Sequence, residues 1–71
     1  MAGEDGFAQR LRKLRESEGL SQEKLAELAK VSAMTVRRWE WGLRVPRFEE
    51  IRRLAETLHI TETELLNGPA M

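Results

Sequence analysis

The sequence predicts an all-α domain of five short helices, and three observations predict it. Apolar residues recur at helical spacing in five segments, each bounded by a capping residue or a glycine. No stretch alternates apolar and polar residues as a half-buried strand would. With 71 residues and no cysteine, the segments have neither disulfides nor thiolate–metal sites to hold them. None is long enough to be stable alone, so all five must share one core. The chain reads as a single domain over 1–71, with an ordered core at about 6–68.

The first helix is expected from Gly6 to Glu18. Asp5 can cap it, and Phe7, Leu11 and Leu14 fall on one face. Gly19 ends it, because glycine enters the left-handed region without steric cost. The second runs from Gln22 to Ala29, with Ser21 as N-cap and Glu23 placed favourably near the positive end of the helix dipole. Leu25, Leu28 and Ala29 face inward, and Ala26 is small enough to let another helix approach. The third runs from Ala33 to Trp41 behind Ser32, with Val36 and Trp39 as a narrow apolar stripe and Gly42 as terminator.

Pro46 discourages helix through Val45, so the fourth helix starts near Phe48 and runs to Leu58. Phe48, Ile51, Leu54, Ala55 and Leu58 form its inward stripe. His59 stands where this helix ends, a position that suits glycine or asparagine, and reads as a C-terminal cap. The fifth helix, Glu62 to Asn67, opens with a Thr61–Glu64 capping box and stops at Gly68-Pro69. The expected core is Phe7, Leu11, Leu14, Leu20, Leu25, Leu28, Val31, Val36, Trp39, Phe48, Ile51, Leu54, Leu58, Ile60, Leu65 and Leu66.

Composition excludes several classes of function. The single histidine, His59, cannot form a metal cluster alone, and no cofactor motif is present. No serine or acid stands in a recognisable nucleophile motif, and a chain of this size leaves little room for a pocket, so an enzyme is not expected. No run of about 18 apolar residues can span a membrane. The N-terminus has early acids and no apolar stretch, so it does not read as a signal peptide. These readings favour the cytoplasm. The chain is formally neutral, with 12 Lys and Arg against 12 Asp and Glu, but its charge is unevenly placed. Between Lys30 and Arg47, five cations face the single Glu40, a net of +4 that leaves −4 for the rest. Such a dipolar chain can turn a basic face to phosphate.

That basic stretch coincides with the second and third helices, joined by only Lys30-Val31-Ser32. Three connecting residues force a steep crossing, the layout that lays a second helix in the DNA major groove. The segment GLSQEKLAELAKVSAMTVRRWEWGLRVP resembles the helix-turn-helix of the Cro/C1 (Xre) family of bacterial and phage regulators. The likeness extends from about Phe7 to Gly68. It includes L-R-x-L-R at Leu11–Arg15, L-S-Q at Leu20–Gln22, L-A at Leu25-Ala26, W-E-x-G at Trp39–Gly42 and L-L-N-G at Leu65–Gly68. It implies a lambda-repressor-like fold with a central helix-turn-helix. The implied function is a sequence-specific, double-stranded DNA-binding transcriptional regulator, expected to be a repressor.

The resemblance also implies roles for matching positions. Gln22 would grip a phosphate at a helix N-terminus, where free N–H groups already favour an anion. Ala33, Met34 and Arg38 would face base edges. Arg38 has the fork to take guanine bidentately, whereas Ala33 and Met34 offer only apolar contact, such as with a thymine methyl. Here the chain departs from members of the family that carry glutamines at those places, so their operator does not carry over. Thr35 and Arg37 would touch phosphate, as would Arg44. Arg47 would reach the backbone or a narrow minor groove, favouring A·T-rich sequence through groove width. Arg15 and Glu40 match a family pair that forms a partly buried ion pair between the first and third helices. The expected target is a palindromic operator bound by a weak homodimer, with half-sites about 10 base pairs apart. Its dimer surface would involve Ile60 and Thr63–Pro69.

Two positions depart from the family pattern. Lys30 replaces a frequent glycine in the turn, where a left-handed non-glycine residue costs on the order of 1 kcal/mol. Trp41 cannot share the inward face with Trp39. It is expected to be exposed, packing on the Arg44 stem, on a deoxyribose, or against a protein partner. Trp41, Met34 and the neutral total charge also sustain an alternative reading: an antitoxin or adaptor that uses the same fold to bind protein.

Overall fold

The computed structural model describes residues 6–68. Within them five helices form and no strand does: α1 (Phe7–Ser17), α2 (Gln22–Ala29), α3 (Ala33–Glu40), α4 (Phe48–Leu58) and α5 (Glu62–Asn67). The ends of α1 and α3 lie one residue inside the expected bounds, since Gly6, Glu18 and Trp41 are cap residues with only half-helical roles. Asp5, expected to cap α1, lies outside the described residues; the N-cap position belongs to Gly6, which supplies no side-chain bond.

Serine and threonine start α2, α3 and α5 as their chemistry requires. The Ser21 hydroxyl accepts from the Lys24 N–H at 3.0 Å, and Ser32 accepts from Thr35 at 3.1 Å. The Thr61–Glu64 box closes in both directions, each bond at 3.0 Å.

Four helices stop in the same way. A residue with positive φ follows each (Gly19, Lys30, Gly42 and His59). The next N–H then reaches back to a carbonyl in the last turn: Leu20 to Arg15, Val31 to Ala26, Leu43 to Arg38 and Ile60 to Ala55, at 2.9 to 3.1 Å. This is the Schellman return, and it places an apolar residue just beyond each helix. Leu20, Val31 and Ile60 use that placement to pack on the core. Leu43 does not; it is 72% exposed.

The core gathers Leu11, Leu25, Ala26, Ala29, Val36, Trp39, Ile51, Leu54, Ala55, Leu58 and Leu65, with Phe7, Leu14, Leu20, Val31, Ala33 and Ile60 half-buried against it. Three residues expected in the core are not there. Leu28, Phe48 and Leu66 are 44%, 75% and 48% exposed. Each sits at the edge of an inward stripe, and helices of 6 to 11 residues bury a strip too narrow to include its flanks. On α2 and α4 the alanines Ala26, Ala29 and Ala55 take buried places instead, because small side chains let the two helices approach. Trp39 is wholly buried, and its indole N–H finds no partner among the described residues. Its apolar area therefore carries the cost of that unmet donor.

One charge lies within this framework. The Glu40 side chain, at the end of α3, has no exposed area. Its Oε2 accepts from Arg15 Nε at 2.6 Å. Its Oε1 accepts from Arg15 Nη2 and from the Gln22 amide, both at 3.1 Å. Arg12 Nε stands 3.8 Å from the same Oε1. Arg15 also donates to the Leu20 carbonyl at 2.8 Å, holding the turn after α1. Its pKa is raised above the ordinary arginine value, chiefly by the hydrogen bond to Glu40, against the opposing effect of burial. The guanidinium thus stays charged at any pH that leaves the fold intact. One carboxylate thereby ties α1 and α2 to the end of α3.

The packing sets the expected cost of three substitutions. Glu40→Gln removes the charge partner of a largely buried arginine and is expected to cost about 3 kcal/mol, lowering the melting temperature by roughly 12 °C or more in a domain of this size. Circular dichroism melting checks this. Leu54→Ala, at a fully buried site, is expected to cost about 2–5 kcal/mol by urea unfolding. Phe48→Ala should change stability by no more than about 0.5 kcal/mol; a loss comparable to that of Leu54→Ala would show that Phe48 belongs to the core after all.

Candidate nucleic-acid interface

Helix α3 is held from behind and open in front. It packs on α2 and α1 through Val36, Trp39 and Glu40, all buried. The opposite face carries Met34 and Arg38, four residues apart and both exposed. Arg38 and Arg44 make no ion pair or side-chain hydrogen bond among the described residues, so their guanidinium donors are available to an outside acceptor.

The other candidate residues are differently placed. Ala33 is half-buried and packs against the core, so it contributes close approach rather than reach. The Thr35 hydroxyl shares a 2.8 Å hydrogen bond with Ser32 at the start of α3. Gln22 begins α2 and directs its amide inward to Glu40. That bond uses one of its two N–H groups and leaves the other free. Arg37, expected from sequence to touch phosphate, donates from Nη2 to Glu23 Oε2 at 2.7 Å. Arg44 and Arg47 lie exposed on the connection between α3 and α4, Arg47 as the N-cap of α4.

This surface is shaped at three points by strained or capped backbone. Lys30 takes φ 63° at the end of α2, a left-handed conformation that sets the direction in which the chain enters α3. Ser32 then satisfies an N–H at the start of α3. Beyond α3, Gly42 takes φ 77° and turns the chain into the basic loop. Leu43 and Val45 extend from that loop, 72% and 76% exposed, and Trp41 at the end of α3 is 56% exposed. His59 is the left-handed cap of α4. Its exposed ring lies 4.0 Å from Glu18.

Two contacts here escaped the sequence reading. Glu23 was assigned only to the helix dipole, yet it holds Arg37 across 14 positions of chain. Arg10 donates from Nε to the Leu65 carbonyl at 2.8 Å and from Nη2 to the Leu66 carbonyl, capping the end of α5 from α1. Separations of 14 and 55 residues leave no local pattern for either, although a cation near carbonyls at a helix end is a favourable placement.

The chain's likeness to known proteins agrees with this geometry. The family model for the helix-turn-helix domain matches residues 7–67. The HTH-type transcriptional activator BcrR of Enterococcus faecalis is 36% identical over 62 residues, which cover 87% of this chain and 30% of that protein. The chain therefore spans less than a third of that relative's length. Among solved structures, the P22 c2 repressor in complex with a synthetic operator superposes with a TM-score of 0.85 at 25% identity, covering 90% of this chain and 97% of that one. The restriction-modification controller protein C.AhdI from Aeromonas hydrophila superposes with a TM-score of 0.83 at 41% identity, covering 93% and 100%. With its five helices, its three-residue turn and its uncovered α3, the chain belongs to the helix-turn-helix domain family and is of the Cro/C1 type found in DNA-binding transcriptional regulators.

Proposed function

We propose that this chain binds double-stranded DNA sequence-specifically by laying α3 in the major groove. The observation that carries the proposal is the exposed face of α3, where Arg38, unpaired among the described residues, stands beside Met34 on a helix fixed from behind by Glu40. In this reading Arg38 takes guanine through O6 and N7, and Met34 contacts a thymine methyl. Ala33 permits close approach at the first turn. The free amide hydrogen of Gln22, together with Thr35 and Arg44, meets phosphate. Arg47 reaches the backbone or the minor groove, where a narrow A·T-rich groove attracts it.

The role is one of binding rather than catalysis, exercised in the cytoplasm by a regulator of bacterial or phage type. Whether occupancy represses or activates depends on where the operator falls relative to the promoter. The solved P22 c2 protein is a repressor and BcrR an activator.

A palindromic operator requires a second copy. The surface proposed for that contact is α5 with Ile60, and it includes an apolar residue left uncovered: Leu66 is 48% exposed. Thr63 beside it is also exposed. Pro69, named for the same surface, lies outside the described residues. A single uncovered apolar residue of this kind suits a weak dimer.

Binding to a random duplex pool at low and moderate salt, followed by sequencing of the retained DNA, tests the proposal. A palindromic motif with half-sites about 10 base pairs apart is expected, with retention falling steeply as salt rises. Arg38→Ala should cost about 1–3 kcal/mol on the selected site and relax preference at one base position per half-site. Retention of no motif, or binding indifferent to salt, would overturn the proposal and turn the search to protein partners at Trp41. Leu66→Lys is expected to weaken self-association in sedimentation velocity, and to flatten cooperative binding to the palindrome, while leaving the melting temperature near that of the wild type.

A further inference from the structure

Arg37 is the one cation on α3 that the fold already engages. Its Nη2 meets Glu23 Oε2 at 2.7 Å, and both groups remain open to solvent, with 32% and 65% of their side-chain areas exposed. Glu23 directly follows Gln22 in the first turn of α2. A carboxylate there is stabilised by the same free N–H groups that would attract a phosphate. Arg38, the next residue, has no such acid beside it.

We propose that Glu23 acts as an intramolecular stand-in for phosphate, neutralising Arg37 and so setting how tightly this domain binds DNA of any sequence. The proposal rests on the DNA-binding reading above and adds a residue that restrains it. Phosphate contacts carry no sequence information, whereas base contacts do. Withholding Arg37 from the backbone therefore lowers affinity for operator and unrelated DNA alike and leaves Arg38 to read the bases. It also makes the domain less dependent on salt than its count of surface arginines implies, since each phosphate neutralised steepens the salt dependence by about one. The pair is exposed, so its strength is modest and its release is worth only a severalfold gain in binding.

The test compares wild type, Glu23→Gln, Arg37→Ala and the double variant. Each is measured on the palindrome retained by the wild type and on an unrelated duplex of equal length, across a salt series. Glu23→Gln is expected to tighten binding to both duplexes by the same factor, about twofold to fivefold at low salt. It should also steepen the salt slope by about one. Arg37→Ala alone should leave the slope unchanged, and in the double variant it should cancel the gain. All four proteins should melt together, because an exposed pair contributes little to stability.

The proposal is overturned if Glu23→Gln weakens binding, which would make Glu23 an aid that positions Arg37 on phosphate. It is equally overturned if Glu23→Gln changes nothing, if its gain survives loss of Arg37, or if Arg37→Ala alone flattens the slope. Should the wild type retain neither duplex, the DNA-binding reading fails and this one with it. Wild-type binding with no response to Glu23→Gln removes only the restraint.

Discussion

The geometry of this domain depends on the buried carboxylate of Glu40. A charge without exposed area is costly unless hydrogen bonds and an opposite charge replace its water. Arg15 supplies both in a bidentate fork, and the Gln22 amide adds a third bond. Because these donors come from α1 and α2, satisfying Glu40 fixes the end of α3 relative to both. Apolar packing through Val36 and Trp39 is non-directional. The carboxylate network is directional, so it defines how α3 is rotated and which of its residues face outward.

Helix termination does a similar job for the path of the chain. Helices of 6 to 11 residues have a large share of their backbone groups at the ends. Four Schellman returns satisfy carbonyls there and deliver an apolar residue to a defined place. Three of those residues are drawn into the core. The fourth, Leu43, follows α3 and stays in solvent on the basic loop. The connection bearing Arg44 and Arg47 is thus left open rather than folded back.

Electrostatics explains how a neutral chain can present a binding face. The cations of α3 and its loop lie where few acids reach them, while most acids sit on the remaining helices. Among the arginines the fold makes distinctions that net charge hides. Arg15 is structural, Arg37 is paired at the surface, and Arg38 and Arg44 are available. Four arginines thus play different parts, decided by which carboxylates lie within reach.

The fold was largely legible because its determinants are local. Apolar spacing, the caps Ser21, Ser32 and Thr61, and the breakers Gly19 and Gly42 each act within a turn or two, so the five helices appear nearly at their expected bounds. The left-handed Lys30 and His59 were legible for the same reason. The edges of the core were not. Leu28, Phe48 and Leu66 satisfy helical spacing as well as Leu25 or Leu54 do, and only the arrangement of neighbouring helices determines which flank is covered. The candidate interface divides along the same line. Sequence singled out α3 and its basic residues through motif spacing. Tertiary structure decided that Ala33 packs inward, that Gln22 serves Glu40, and that Arg37 belongs to Glu23. Those outcomes rest on distances between residues far apart in the chain, which no local pattern encodes.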